Sequence, residues 1–151
     1  MSLPDSHKPA ALLIAVLAVV LALAIPAGAD AAKSPGSATI TACKGDALTV
    51  AGKVVTTGKA ARKVRGANLQ LRFQALALFG LPRAGEWRDL GKKGKGSGQQ
   101  VFTGLGFDNW VGVMSWRFKR GSKTVLSGNE RSQPARIGGA KGRANCTLFE
   151  G

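Results

Sequence analysis

From residue 38 onward the apolar and polar positions alternate with a period of two rather than 3.6, which predicts strands rather than helices. Leu48, Val50 and Val54 alternate with Thr49, Ala51 and Lys53. Across 67–75, Leu69, Leu71, Phe73 and Ala75 share one face, while Asn68, Gln70, Arg72 and Gln74 share the other, the pattern of a half-buried strand. The phase is lost over 75–79, where a bulge or an edge crossing accounts for the change. Short strands are expected at 86–90, anchored by Trp87, and at 99–105, with a flexible basic loop at 91–98 between them. The clearest strand is 110–118, where Trp110, Met114, Trp116 and Phe118 face one way with Gly112 among them. Val111, Val113, Ser115 and Arg117 face the other way. A turn at 119–123 leads to a return strand from Thr124, and strands at 131–137 and 144–149 complete the set. No helical stretch and no internal repeat is visible after the leader. The expected fold is all-β, an antiparallel two-sheet sandwich of about seven strands.

Ahead of this pattern lies an unbroken apolar run, residues 10–25, preceded by His7 and Lys8 and followed by Pro26, Ala27, Gly28 and Ala29. A basic start, an apolar segment and a small-residue exit after a helix breaker describe a secretory signal peptide, with Ala27 and Ala29 at the peptidase site. Processing after Ala31 and retention as a membrane anchor are the alternatives, because the uncharged stretch 9–29 approaches the roughly 20 residues a spanning helix needs. The expected organisation is a helical signal peptide at 1–29, a linker at 30–37 and a β-sandwich at 38–151. The expected location is secreted or cell-envelope, outside the cytoplasm. Cys43 and Cys146, the two cysteines, lie near the ends of the processed chain. Outside the cytoplasm such a pair reads as one disulfide joining the first and last strands. Two free thiols or a metal pair compete with it, but two Cys without His do not complete a zinc site. Asn145-Cys146-Thr147 matches a glycosylation sequon across a bridged cysteine and is treated as chance.

Residues 101–134 resemble the second half of a fibronectin type III module of the immunoglobulin-like class. Leu105 and Gly106, the corner residue Trp110, the alternation to Phe118, Gly121 and Ser132 occupy that family's places. Trp110 stands where the family has Tyr, so no hydroxyl is expected to bond back to the backbone. The whole processed chain is also similar to small secreted, disulfide-closed β proteins of high-GC, actinobacterial-type bacteria. These resemblances imply a fold and a compartment, and they imply no activity.

Charge and chemistry narrow the function further. Twenty-two Lys and Arg against eight Asp and Glu leave a formal charge of +14. The one histidine, His7, precedes the apolar run, which removes His-dependent triads, His general bases and His–metal sites from the folded part. No metal or cofactor is expected. The basic residues cluster at Lys59, Arg62, Lys63 and Arg65; at Lys92, Lys93 and Lys95; and at Arg117, Lys119, Arg120 and Lys123. The last two clusters are the candidate anion-binding residues. The 91–98 segment lacks the spacing of a nucleotide-binding phosphate loop, so a solvated inter-strand loop is expected there. Glu86 and Asp89 are the closest acid pair, for which a turn-stabilising ion pair with Arg88 is the simpler account than hydrolysis. Trp110 and Trp116 are expected in the core, whereas sequence alone leaves a ligand-stacking role open for Trp87. Val111 and Val113 mark a docking surface if their face is open, or are hidden by further packing. The expectation is a non-catalytic interaction or envelope-associated protein whose partner is an anionic cell-surface polymer or another extracellular protein. A dedicated nucleic-acid role is not expected, nor is a membrane contact other than through an uncleaved leader. A freely secreted basic effector or inhibitor is the alternative, and a minimal hydrolase the remote one.

Overall fold

The computed structural model describes residues 33–140 and 143–149. The leader, with Ala27 and Ala29, lies outside the described residues. Nine strands and one short helix follow in the order β1 (Gly36–Lys44), β2 (Ala47–Val55), α1 (Gly58–Lys63), β3 (Asn68–Ala77), β4 (Arg83–Ala84), β5 (Arg88–Asp89), β6 (Lys95–Phe102), β7 (Asp108–Arg120), β8 (Lys123–Ala140) and β9 (Arg143–Leu148). They form two antiparallel sheets. One has the order β1-β2-β6, and the other β4-β3-β7-β8-β9 with β5 also paired to β3. The all-β, two-sheet architecture expected from the alternation is the observed one.

The inward faces form one core. Leu48, Val50 and Val54 from β2 meet Leu69, Leu71 and Phe73 from β3 and Met114 and Phe118 from β7, all essentially without solvent contact. Trp110 and Trp116 are core residues, and Trp116 meets the Phe118 ring edge-on at 6.1 Å between centroids. Glycines face the largest side chains across the gap. A Cβ at Gly96 would stand 2.6 Å from Leu90 Cδ1 and 2.8 Å from Leu69 Cδ2, and one at Gly52 would collide with the Met114 thioether. The close approach of the sheets therefore depends on missing side chains in β2 and β6 opposite bulky ones.

Several boundaries differ from expectation. Residues 91–98 are not one loop, since the ladder with β2 begins at Lys95. The 124–126 and 131–137 segments are parts of a single strand, β8, which shifts register against β7 between Val111 and Val113. The phase loss after Ala75 is neither bulge nor crossing: β3 ends at Ala77, and Leu78 and Phe79 leave the sheet into solvent. The helix α1 was not visible in the sequence. At the corner no hydroxyl bonds back, as expected for Trp110, but its indole N–H donates to the Gly106 carbonyl at 3.0 Å.

Cys43 in β1 and Cys146 in β9 form the expected disulfide, with Cα atoms 5.4 Å apart. It joins the first and last strands across the two sheets rather than along a shared ladder. Such a bond is of the kind that forms and persists in oxidising, extracytoplasmic compartments. Among the described residues no helix is long and apolar enough to cross a membrane.

Candidate functional site

The strands run between two ends of unlike chemistry. One end is assembled from α1, the 91–94 loop and the turn between β7 and β8. Thr56, at the end of β2, fixes the loop by donating from both its amide (3.0 Å) and its hydroxyl (2.7 Å) to the Gly94 carbonyl. Leu69 N–H donates to Gly91 O at 2.9 Å, so the other side of the loop is held by β3. The helix is six residues long, with Arg62 and Lys63 in its last turn, where cations suit the carbonyl end of the dipole. Arg120 completes this arrangement by donating to Lys63 O at 3.3 Å and Arg65 O at 2.9 Å. Gly121, at φ 61°, closes the tight turn that brings Arg120 opposite Lys123.

Three basic clusters separated in sequence therefore share one end of the molecule. Lys92, Lys93 and Lys95 are exposed, as are Arg62, Lys63, Arg120 and Lys123, and Lys119 is half-buried. Lys93 and Lys95 join Lys53 along a shallow groove of about 520 Å³ whose apolar parts are Val55 and Leu90. Lys53 was not among the sequence candidates. Its register opposite Ser97, two residues from the Val55–Lys95 pair and so on the same face, brings it there. The α1 cluster was noticed in the sequence but could not be placed beside the β7–β8 turn, to which the Arg120 contacts join it.

Asp89 is the carboxylate at this end among the described residues. The Gly91 amide, at 2.7 Å, holds its carboxyl below the usual Asp value, with the Gln70 and Asn68 side-chain amides assisting. Its role is to fix the entry to the loop. The expected partnership with Arg88 gives way to a different arrangement, in which Arg88 donates to Gln99 O at 2.9 Å and to the Gln100 side chain, bridging to β6. Arg117, another candidate, lies on the outer face of its sheet and is already engaged. Its guanidinium sits 3.9 Å over the Trp87 ring and its Nε donates to Gln70 Oε1 at 2.8 Å. Trp87 is thus a stacking partner for an internal cation. Val113 is buried and Val111 half-buried, so these valines are not an open docking face.

Glu130 is half-buried and accepts from the Trp116 indole at 3.1 Å and from the Ser34 hydroxyl. Among the described residues no group of three or more His, Cys, Asp or Glu side chains converges as a metal site would require. A broad array of flexible cations around an open groove can hold a repeated anion. It offers no positioned acid–base pair. Compared with known proteins, the chain matches no family model, no curated protein and no solved structure.

Proposed function

We propose that this chain is an exported, non-catalytic sandwich of the fibronectin type III or immunoglobulin-like kind that binds an anionic cell-surface polymer at its basic end. The strand order supports the fold reading. Strands β1, β2 and β6 stand where such sandwiches have A, B and E, while β3, β7 and β8 stand for C, F and G. The fourth strand is moved beside β3, β9 is added beyond β8, and the Trp110–Gly106 bond takes the part of the tyrosine corner.

The observation that carries the functional reading is the convergence of Lys53, Lys93 and Lys95 on one groove, with α1 and the β7–β8 turn extending the charge beyond it. A single small anion needs a few inward-pointing donors. Exposed lysines strung along an open groove suit a polymer whose charges repeat, and they add a long-range attraction that salt weakens. Asp89 keeps its single negative charge, held by the Gly91, Gln70 and Asn68 amides, and is outnumbered by the cations at this end.

Fluorescence anisotropy with labelled linear polyphosphate tests the proposal. Binding should weaken steeply as salt rises, because each neutralised phosphate releases a counterion. Replacing Lys53, Lys93 and Lys95 together by Gln should weaken binding at least tenfold at fixed salt. Three Gln replacements at Lys44, Arg131 and Arg136, which remove the same charge elsewhere, should change it less than twofold. Equal losses from the two sets would overturn the groove as the site, and absence of binding near 0.15 M salt would overturn the polymer reading.

A further inference from the structure

The opposite end carries a different surface. Of the eight large hydrophobic side chains exposed among the described residues, five gather there: Leu78, Phe79, Leu81, Phe107 and Phe149. Phe79 is 89% exposed and Leu81 85%, on the loop that leaves β3. Phe107 borders the same hollow as Phe79, while Leu78 and Phe149 border the groove next to it. Phe79 and Leu81 are the most exposed of the five and project furthest into solvent. The loop that bears them is also fixed. Asp108 Oδ2 accepts from Phe79 N–H at 2.9 Å and Gly80 N–H at 2.8 Å, and Leu78 N–H donates to Asn109 O at 3.0 Å. Asp108 keeps its negative charge while accepting from these amides, but Arg83, Arg131 and Arg136 outnumber it and leave the rim net cationic.

We infer that this end docks on an anionic lipid bilayer, with Phe79, Leu81 and Phe107 entering the headgroup–acyl boundary and the rim arginines meeting lipid phosphates. Apolar tips ringed by Arg or Lys match the layering of a membrane surface, where apolar atoms sink and guanidinium groups stay among the phosphates. A second copy of this chain is the poorer occupant. Pairing the tips symmetrically would bring two arginine rims together on molecules of like sign. Anionic lipid supplies the opposite charge. The surface is distinct from the basic groove, so the two can be tested separately.

The test is co-sedimentation of the protein, as released by the producing cells, with vesicles of phosphatidylglycerol and phosphatidylcholine, alongside sedimentation velocity without lipid. The expected result is a monomer that binds phosphatidylglycerol vesicles. Phe79→Ser with Leu81→Ser should weaken that binding at least tenfold. Val101→Ser, an exposed apolar position elsewhere, should change it less than twofold. Both loop side chains are already in solvent, so an unchanged melting temperature should accompany the loss. Undiminished vesicle binding by the loop variant would overturn the inference and leave general charge attraction. A wild-type dimer that the loop variant abolishes, with no vesicle binding, would overturn it in favour of self-association.

Discussion

Replacing both Cys43 and Cys146 by Ala removes a link between residues 103 positions apart. In the chain-entropy description, a closed loop of that length lowers the entropy of the unfolded chain by about 16 cal/mol/K, or about 4.7 kcal/mol at 25 °C. Small cavities left by the lost sulfurs add to this, and relaxation of the paired strands subtracts. The expected loss is about 3–5 kcal/mol, a large share of the roughly 5–15 kcal/mol that holds a typical domain folded. At about 4 °C per kcal/mol for a domain of this size, the melting temperature should fall by about 12–20 °C. The unfolded chain without the link is more expanded and exposes more surface. The denaturant m-value of the variant should therefore rise above that of the oxidised protein. Urea titrations followed by tryptophan fluorescence read both quantities, using the Trp110 and Trp116 pair in the core. A loss below about 1 kcal/mol with an unchanged m-value would refute the argument. It would mean that β1 and β9 hold their places by packing alone, and that the unfolded chain is compact with or without the bond.

Two further predictions concern single side chains. Trp110→Phe removes the indole donor to Gly106 O and part of a buried ring, so about 2 kcal/mol of stability should be lost in urea melts; a loss under about 0.5 kcal/mol would show that the corner bond contributes nothing. Burial pushes the Asp108 carboxyl upward, but the amides of Phe79, Asn109 and Gly80 outweigh it and hold the group below its ordinary value of 3.8. Its stabilising effect is therefore present above that value and is lost as pH falls through the lower folded one. Asp108→Asn should flatten the acid limb of a melting-temperature series taken from pH 7 to pH 2.5, whereas a limb parallel to that of the parent protein would sink the assignment.

The strands that could be read in the sequence are those whose inward positions carry side chains. In β3, Leu69, Leu71 and Phe73 mark every second residue, and in β7 Trp110, Met114, Trp116 and Phe118 do the same, so the period-two signal survives. The strand expected at 99–105 overlaps β6, but its first half was hidden because the inward positions there are Gly96 and Gly98. Their space is filled from elsewhere by Leu69, Leu90 and Phe73, which leaves no local signal. Helix α1 was hidden for a related reason. Six residues give less than two turns, and the restraint on its carbonyl end comes from Arg120, 57 positions away from Lys63. The disulfide followed from the positions of the cysteines, since only two were available. The candidate site was legible as charge and not as place. Lys92, Lys93 and Lys95 were identified by composition, Lys53 became relevant only through its register in β2, and Arg117 proved to be occupied by Trp87 and Gln70.

Strand β7 runs from Asp108, under the apolar loops, to Arg120, beneath the carbonyls of α1. Thirteen residues of extended chain at about 3.3 Å each make it a strut of about 40 Å, stiffened by β3 on one side and β8 on the other. The screening length at physiological salt is about 8 Å, so charge added or removed at one end goes unfelt at the other. If both ends bind as proposed, the domain acts as a ruler. Whatever its two ends grip is held at a set spacing, and each grip can be loosened by mutation without a change in the other.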